Sequence, residues 1–211
     1  AYYILRGRYV SISKKAFKIT LVIATITSLA QLVAGHASAE VVAEHQPAKL
    51  AALEGHYDES AAADMYLLGW VDQEKQEVTG LAIPGGLSFL LDQDFEAPVT
   101  GLNAFSEDER PSQVNAVFQF YHLMVAIGMF LIGLTLYASF LLWKKKLFTR
   151  KWLLWVFVFT ALLPQIANQV GWFSAEMGRQ PWVVYGLLRT NEAFSQAVTA
   201  NQVLFSLILF F

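Results

Sequence analysis

Three apolar runs, each long enough to cross a lipid bilayer, constrain the fold of this chain more than any other feature. They cover about residues 16–34, 114–143 and 152–175. A helix rises about 1.5 Å per residue, so about 20 apolar residues cross a hydrocarbon core of about 30 Å. A fourth apolar run, from about residue 197 to 211, is too short to span alone. We therefore predict an all-α integral membrane helical bundle of about four transmembrane helices, the last of them incomplete.

The composition supports a membrane protein and excludes several kinds of site. Hydrophobic residues make up 55% of the chain and charged residues 15%, compared with about 25% charged residues in a typical soluble domain. The chain has no cysteine, so it can form neither a disulfide framework nor a thiolate site for zinc or haem. We expect no nucleic-acid partner.

The first residues permit two interpretations. Residues 1–8 (AYYILRGR) resemble the end of a preceding helix and a cytoplasmic turn, and we expect the first apolar run to be a retained span. The alternative is a secretory signal peptide, because a basic stretch at residues 14–18 precedes the apolar run and an Ala-x-Ala pattern at residues 37–39 follows it.

The distribution of charge predicts the topology. Basic residues cluster at 6–18 and 144–151, and such clusters favour the cytoplasmic side. Residues 36–113 carry 3 basic and 15 acidic side chains, a net charge of 3 − 15 = −12, which favours the opposite side. We therefore divide the chain into three regions. Residues 1–35 contain the end of a helix, a cytoplasmic turn and a span. Residues 36–113 form a long extracytoplasmic loop, and residues 114–211 form further transmembrane helices.

The long loop begins with a pattern typical of a short helix near the membrane surface. Pro47 suits a first helical turn, good helix formers follow it, and Gly55 suits the helix end. Lys49 and Glu54 are five residues apart, about 140° around a helix, so they do not form an i,i+4 pair. From the residues alone they are most simply two solvated charges. For residues 58–111 we predict an irregular loop with brief strands or turns.

A polar stripe follows one face of the third apolar run. Its members are spaced at i, i+3, i+4, i+7, i+11 and i+14: Gln165, Asn168, Gln169, Trp172, Glu176 and Arg179. Ionisable residues at membrane depth face partners, ion pathways or cofactors. Three interpretations remain open: a cofactor site, a proton-coupled transporter with Glu176 as its relay, and a structural subunit whose stripe only packs helices.

The second apolar run contains His122 and Met124, about 200° apart around a helix, so the two cannot serve one metal from one face. A membrane methionine usually fills a gap in a core. A thioether can nevertheless be an axial haem ligand, and Gly128, one turn further on, would leave room for a flat macrocycle.

Three stretches resemble a known family. GWFSAEMGRQPW, residues 171–182, resembles the G-W-x-x-x-E-x-G-R-Q-P-W signature of subunit I of cytochrome bd-type quinol oxidases. KLAALE, from residue 49, resembles the start of that family's external quinol loop, and the FQFYHLMV stretch is similar to its methionine-bearing helix. Their order and spacing match the C-terminal half of the subunit. The resemblance implies oxidation of quinol at the outer face of a prokaryotic cytoplasmic membrane and reduction of dioxygen to water, generating a proton gradient without pumping.

The resemblance also implies haem-binding roles within residues 114–211. Met124 would be an axial ligand of a low-spin haem b, and Glu176 would ligate or adjoin the iron of a high-spin haem b. Arg179 would neutralise haem propionates or keep Glu176 ionised, and Glu176 and Arg179 are the expected catalytic pair. Trp172 would pack against the macrocycles. His122 occupies the position where the family more often has an arginine beside the low-spin haem. A haem d or a further haem b would complete the oxygen site.

The remaining implied roles concern quinol and partners. Lys49 and Glu54 would belong to a quinol site in the loop, residues 36–113. The family's histidine haem ligands lie in N-terminal helices that this chain does not contain. We therefore expect it to work with an N-terminal half of subunit I, in the same or a separate chain, and with subunit II and small membrane subunits in the lipid bilayer.

Overall fold

The computed structural model describes residues 1–195 and 197–210. The helices are α1 (Tyr2–Leu5), α2 (Val10–His45), α3 (Pro47–Glu54), α4 (Gly86–Asp92), α5 (Val114–Trp143), α6 (Lys151–Phe159), α7 (Leu163–Gly178) and α8 (Ala200–Phe210). The strands are β1 (Ser60–Ala61), β2 (Met65–Asp72), β3 (Glu77–Ile83), β4 (Pro98–Val99), β5 (Trp182–Val184) and β6 (Leu188–Arg189). They form three two-stranded antiparallel sheets, β1–β4, β2–β3 and β5–β6.

Within the described residues, three helical segments are long and apolar enough to cross a membrane: Val10–His45, Glu107–Trp143 and Lys151–Gly178. They contain the three runs predicted from hydropathy, so the helical membrane fold is confirmed. The fourth run forms the 11-residue helix α8.

Helix α2 is longer than the predicted span of residues 16–34. It has 36 residues and continues to His45, ten residues beyond the boundary predicted at residue 35. The extension is rich in alanine and glutamate, which favour a helix whether or not lipid surrounds it. Hydropathy identified the part of the helix that can lie in lipid, and helix propensity sets where the helix ends.

The third span is interrupted by one tight turn. A 3₁₀ turn, Thr160–Leu162, lies between α6 and α7, and Pro164 occupies the first turn of α7. Proline is tolerated there because first-turn N–H groups have no helical acceptor. All residues of the predicted polar stripe therefore lie on α7 or at its C-cap, Arg179.

The short loop helix matches its prediction. Pro47 begins α3, and Gly55 ends it in the left-handed conformation, with φ of 66°. The remainder of the loop is more ordered than predicted, because β2 and β3 form a hairpin of eight and seven residues. A bulge between Tyr66 and Leu68 interrupts the pairing. Such a bulge breaks the alternation of inward and outward side chains that identifies a strand in a sequence.

Helix α5 is packed near both of its ends. Its loop end belongs to a loop-side cluster of buried residues: Ala51, Ala52, Leu53, Tyr57, Val71, Leu102, Val114, Val117 and Phe118. Its other end belongs to a basic-end cluster, beside the turn rich in lysine: Leu21, Leu134, Ala138, Leu141, Leu147 and Leu153. Hydroxyl pairs also join α2 to α5, with 2.8 Å between Thr25 and Ser139 and 3.2 Å between Ser28 and Thr135. Helix α5 is therefore the element around which the other parts are arranged.

Polar side chains of α5 hold the edge of β2. The Val71 N–H donates to Asn115 Oδ1 at 3.1 Å, Gln119 Nε2 donates to the Gly69 carbonyl at 2.7 Å, and His122 Nε2 lies 2.7 Å from the Tyr66 carbonyl oxygen. The three side chains share one face of α5, because they lie at i, i+4 and i+7. This polar ladder satisfies backbone groups that β3 does not pair, and it fixes the hairpin to the start of the span.

We predict that Gly55→Ala destabilises the external loop. The left-handed conformation disfavours a Cβ atom, which would also lie 2.8 Å from Val78 Cγ2 and 3.1 Å from Val71 Cγ2. Together these effects should lower the free energy of unfolding by about 2–4 kcal/mol. Thermal denaturation and limited proteolysis of the loop measure the change. Gly35→Ala is the matched control, because no described atom lies within 4 Å of its Cβ position; equal stability of the two variants would contradict the prediction.

Candidate functional site

Helix α7 meets α5 through a face of small residues spaced along about two turns. Gly171, Ser174 and Gly178 form this small-residue face. Ser174 is 1% exposed, and its hydroxyl donates to the Val117 carbonyl of α5 at 3.2 Å. Small residues let two membrane helices approach closely, where van der Waals contact and interhelical hydrogen bonds replace the hydrophobic effect. The large and charged residues of α7 lie on its other faces.

The side chain of Met124 occupies the space that Gly171 leaves. A Cβ atom on Gly171 would overlap Met124 Sδ and would come within 3.3 Å of its Cγ. Further along α5, the Cβ positions of Gly128 and Gly133 have no described atom within 4 Å. Met124 therefore lies between a close helix contact and an open stretch of α5.

Lys49 reaches from the loop helix to the end of α7. Its Cγ and Cε lie 3.4 Å and 4.0 Å from the Cβ position of Gly178, so the aliphatic stem crosses the small-residue face. Burial lowers the pKa of Lys49; nearby Glu176 raises it and Arg179 lowers it. The structure thus brings together Lys49, which was predicted for the quinol site, and Glu176 and Arg179, which were predicted for a haem site.

Glu176 and Arg179 form an ion pair at the end of α7. Arg179 Nε donates to Glu176 Oε2 at 2.9 Å, its NH2 donates to the same oxygen, and its NH1 donates to the Trp182 carbonyl at 2.9 Å. Both guanidinium contacts use one carboxylate oxygen, so Oε1 accepts no hydrogen bond from the described part of the chain. The arginine fixes the carboxylate while leaving one oxygen available.

Most of the polar stripe of α7 is left uncovered by the described residues. Gln165, Asn168 and Gln169 are exposed and Trp172 is 58% exposed, whereas the opposite, small-residue face packs on α5. The helical periodicity predicted from the sequence is therefore present. That this stripe is one wall of a site stays a prediction.

Glu54 is buried in the loop-side region, with 3% exposure, so the interpretation as a solvated charge is wrong. Its Oε2 has no hydrogen-bond partner among the described residues. Burial raises the pKa of Glu54 to about 7, against an opposing interaction with the Tyr121 hydroxyl. Glu54 and Lys49 lie in different surroundings, because the stem of Lys49 crosses α7 and Glu54 is buried next to Leu53 of the loop-side cluster.

His122 lies between two backbone carbonyls. Its Nδ1 is 2.9 Å from the Phe118 oxygen and its Nε2 is 2.7 Å from the Tyr66 oxygen, and its ring stacks on Phe118 at 3.8 Å between centroids. These contacts give His122 a part in holding the hairpin. The role beside a haem stays a prediction.

Sequence reasoning missed Tyr121, Gly171 and Gly178 as parts of the site. The two glycines are seven residues apart with Ser174 between them, and this spacing of small residues indicates a helix contact. Tyr121 follows Val117 and Phe118 at helical spacing, which places it on their face of α5. No sequence signal identified the partners that these residues meet.

Comparisons with known proteins identify the family to which the chain belongs. The family model for cytochrome bd terminal oxidase subunit I matches residues 1–211. The chain is 31% identical to cytochrome bd ubiquinol oxidase subunit 1 of Bacillus subtilis over 100% of its own length and 47% of the relative. A putative cytochrome bd menaquinol oxidase subunit I of the same organism is 36% identical over 94% of this chain and 44% of the relative. The chain therefore spans less than half the length of these relatives.

A solved structure gives the same result for the fold. The bd oxidase from Geobacillus thermodenitrificans matches with a TM-score of 0.80 and 34% identity, over 99% of this chain and 49% of the solved chain. The resemblance inferred from the three sequence stretches is confirmed.

We predict that Gly171→Ala displaces the Met124 thioether without separating α5 from α7. The thioether ends a flexible side chain, so a changed rotamer should cost only about 1 kcal/mol of unfolding free energy. Methyl-¹³C methionine NMR of the complex, with the Met124 signal assigned by Met124→Leu, should show that signal moving. Gly133→Ala, in open space on α5, should leave it unchanged. An unmoved Met124 signal in Gly171→Ala would contradict the packing described.

Proposed function

Because the chain belongs to the cytochrome bd terminal oxidase subunit I family, we propose that it forms the C-terminal half of a subunit that oxidises quinol and passes electrons to dioxygen. The observation that carries this proposal is the position of Lys49 across Gly178. Its stem lies against the helix of the family signature, which supports a site shared by the loop and α7.

The residues of this chain fit haem groups. Met124 would supply a thioether ligand to a low-spin haem b beside the open stretch of α5 at Gly128, and Glu176 would offer its free Oε1 to a high-spin haem b. When bound, the haems supply one-electron redox chemistry and, with a haem d or further haem b, the place where dioxygen is reduced. Arg179 holds the Glu176 carboxylate in position, and the exposed Trp172 offers an aromatic surface beside it.

Glu54 would accept a proton from quinol. Its pKa of about 7 lies near physiological pH, where a general base is most effective. Oxidation of one quinol releases two protons and two electrons; Glu54 would take one proton and external water the other, and one-electron acceptance is the chemistry that bound haems would supply. Lys49 would donate a hydrogen bond to a quinol oxygen. Protons released on this side and protons consumed from the cytoplasm would separate charge without a pump.

The uncovered stripe supports the need for partners. A polar stripe exposed to lipid is costly, so we infer that an N-terminal half of subunit I, in the same or a separate chain, covers α7 and supplies the histidine ligands. Subunit II and small membrane subunits would complete the complex in a prokaryotic cytoplasmic membrane, with residues 36–113 outside.

We predict that Met124→Leu removes the low-spin haem b signature from the visible spectrum of the reduced complex. Leucine keeps the approximate volume of methionine but has no sulfur to bind iron. Met129→Leu is the matched control, because Met129 lies on the same helix and is 54% exposed. An unchanged low-spin band in Met124→Leu would reject the ligand assignment.

We predict that Lys49→Ala and Glu54→Ala depress quinol oxidation while the haem bands remain. Loss of a proton acceptor should slow turnover about 10²-fold or more, and loss of a charged hydrogen-bond donor should lower kcat/KM about tenfold. Lys75→Ala and Glu44→Ala are controls, because these side chains are 74% and 78% exposed. Normal turnover in both Lys49 and Glu54 variants would refute the quinol site.

A further inference from the structure

The outer face of the β2–β3 hairpin is apolar and is left uncovered by the described residues. Val71 and Val78 face inward, onto the loop-side cluster. Side chains alternate along a strand, so their neighbours face outward, and the pairing register places Leu68 beside Leu81. Leu68, Trp70 and Leu81 form this outer face and are 64%, 64% and 62% exposed. An exposed apolar patch of this kind marks a surface that contacts a membrane or another protein.

Charged residues on α2 mark the two edges of the hydrocarbon layer. Lys18 and Glu40 are 22 residues apart, and the sequence between them contains no Asp, Glu, Lys or Arg. At about 1.5 Å per residue they lie about 33 Å apart, close to the thickness of a hydrocarbon core, about 30 Å. The hydroxyl pairs that join α2 to α5 show that these helices are antiparallel. Glu40 therefore lies level with about residue 123 of α5, and the hydrocarbon layer ends there.

The polar ladder holds β2 beside the part of α5 that leaves the hydrocarbon layer. Its contacts run from His122 to Asn115, which lie about 2 Å and about 12 Å beyond that edge along the helix. The headgroup layer is about 5–8 Å thick on each side of a bilayer. Leu68 lies between the two inner contacts of the ladder, so Leu68 and its partner Leu81 are at headgroup depth. Trp70 lies near the outer limit of the layer, where tryptophan is enriched in membrane proteins.

The hairpin lies on the side of α5 that faces away from α7. The polar ladder is about 180° around α5 from Val117 and Met124, which contact the small-residue face of α7. On the ladder side, α5 continues toward its basic end with exposed apolar and aromatic side chains: Met129, Phe130, Tyr137 and Phe140. The outer face of the hairpin therefore continues an apolar side of a membrane span. The uncovered stripe of α7 lies on the opposite side of α5, so a partner that covers the stripe does not have to cover the hairpin.

The charged residues of the hairpin lie at the end that is far from the hydrocarbon layer. The connecting turn is residues 73–76 (QEKQ), and Lys75 Nζ lies 3.6 Å from Asp72 Oδ2. This turn follows the outermost contact of the polar ladder. Apolar side chains near the hydrocarbon edge and charged side chains in water are typical of elements that lie in a membrane interface.

We propose that the outer face of the β2–β3 hairpin docks into the headgroup layer of the lipid bilayer and anchors the external loop on the membrane surface. Leu68 and Leu81 contact lipid, and Trp70 lies at the boundary with water. The contact depends on the membrane spans, so it stands whether or not Glu54 receives a proton from quinol.

The test uses the complete oxidase complex in nanodiscs of phosphatidylcholine and phosphatidylglycerol. The chain has no cysteine, so Leu68→Cys and Leu81→Cys each give it one position for an NBD fluorophore. The signal of the unsubstituted complex, treated in the same way, is subtracted. We expect a lipid with a TEMPO headgroup to quench both labels strongly and aqueous iodide to quench them weakly. The two positions lie on different strands, so either variant is a test if the other does not assemble.

Lys75→Cys is the matched control, because Lys75 belongs to the same hairpin and its side chain is 74% exposed. Its label should be quenched strongly by iodide and weakly by the TEMPO lipid. If iodide quenches the Leu68→Cys and Leu81→Cys labels as strongly as the control, the outer face lies in water and the proposal is wrong. If neither quencher reaches them, another protein chain covers the outer face, and this result also overturns the proposal.

Discussion

The close contact between α5 and the small-residue face of α7 determines where the candidate site residues lie. Within lipid, burying apolar surface between helices brings little gain, so close approach and interhelical hydrogen bonds must supply the association. Gly171 leaves space for Met124, Gly178 leaves space for the stem of Lys49, and Ser174 bonds the backbone of α5. One helix face therefore positions a residue from the span and a residue from the external loop, while the opposite face carries the polar stripe.

The parts of the fold that depend on local patterns could be predicted from the sequence. Hydropathy identified the three spans, and Pro47 and Gly55 delimited α3, because these effects act over a few residues. The β2–β3 hairpin could not be recognised, since its bulge breaks the alternation and its edge is satisfied by side chains from α5, far along the chain. The length of α2 was underestimated because hydropathy does not mark helix ends.

In the candidate site, too, local patterns could be predicted from the sequence and contacts between distant residues could not. The stripe on α7 and the approach of Arg179 to Glu176 follow from helical spacing. The burial of Glu54 and the position of Lys49 beside Glu176 depend on how the loop folds back onto two spans, and spacing within α3 contains no information about that.

Helix α5 is packed at its two ends and has open space beside Gly128 and Gly133 between them. Contacts within the chain therefore do not depend on whatever fills that middle region. A group that lies against these two glycines would not have to displace a described side chain there.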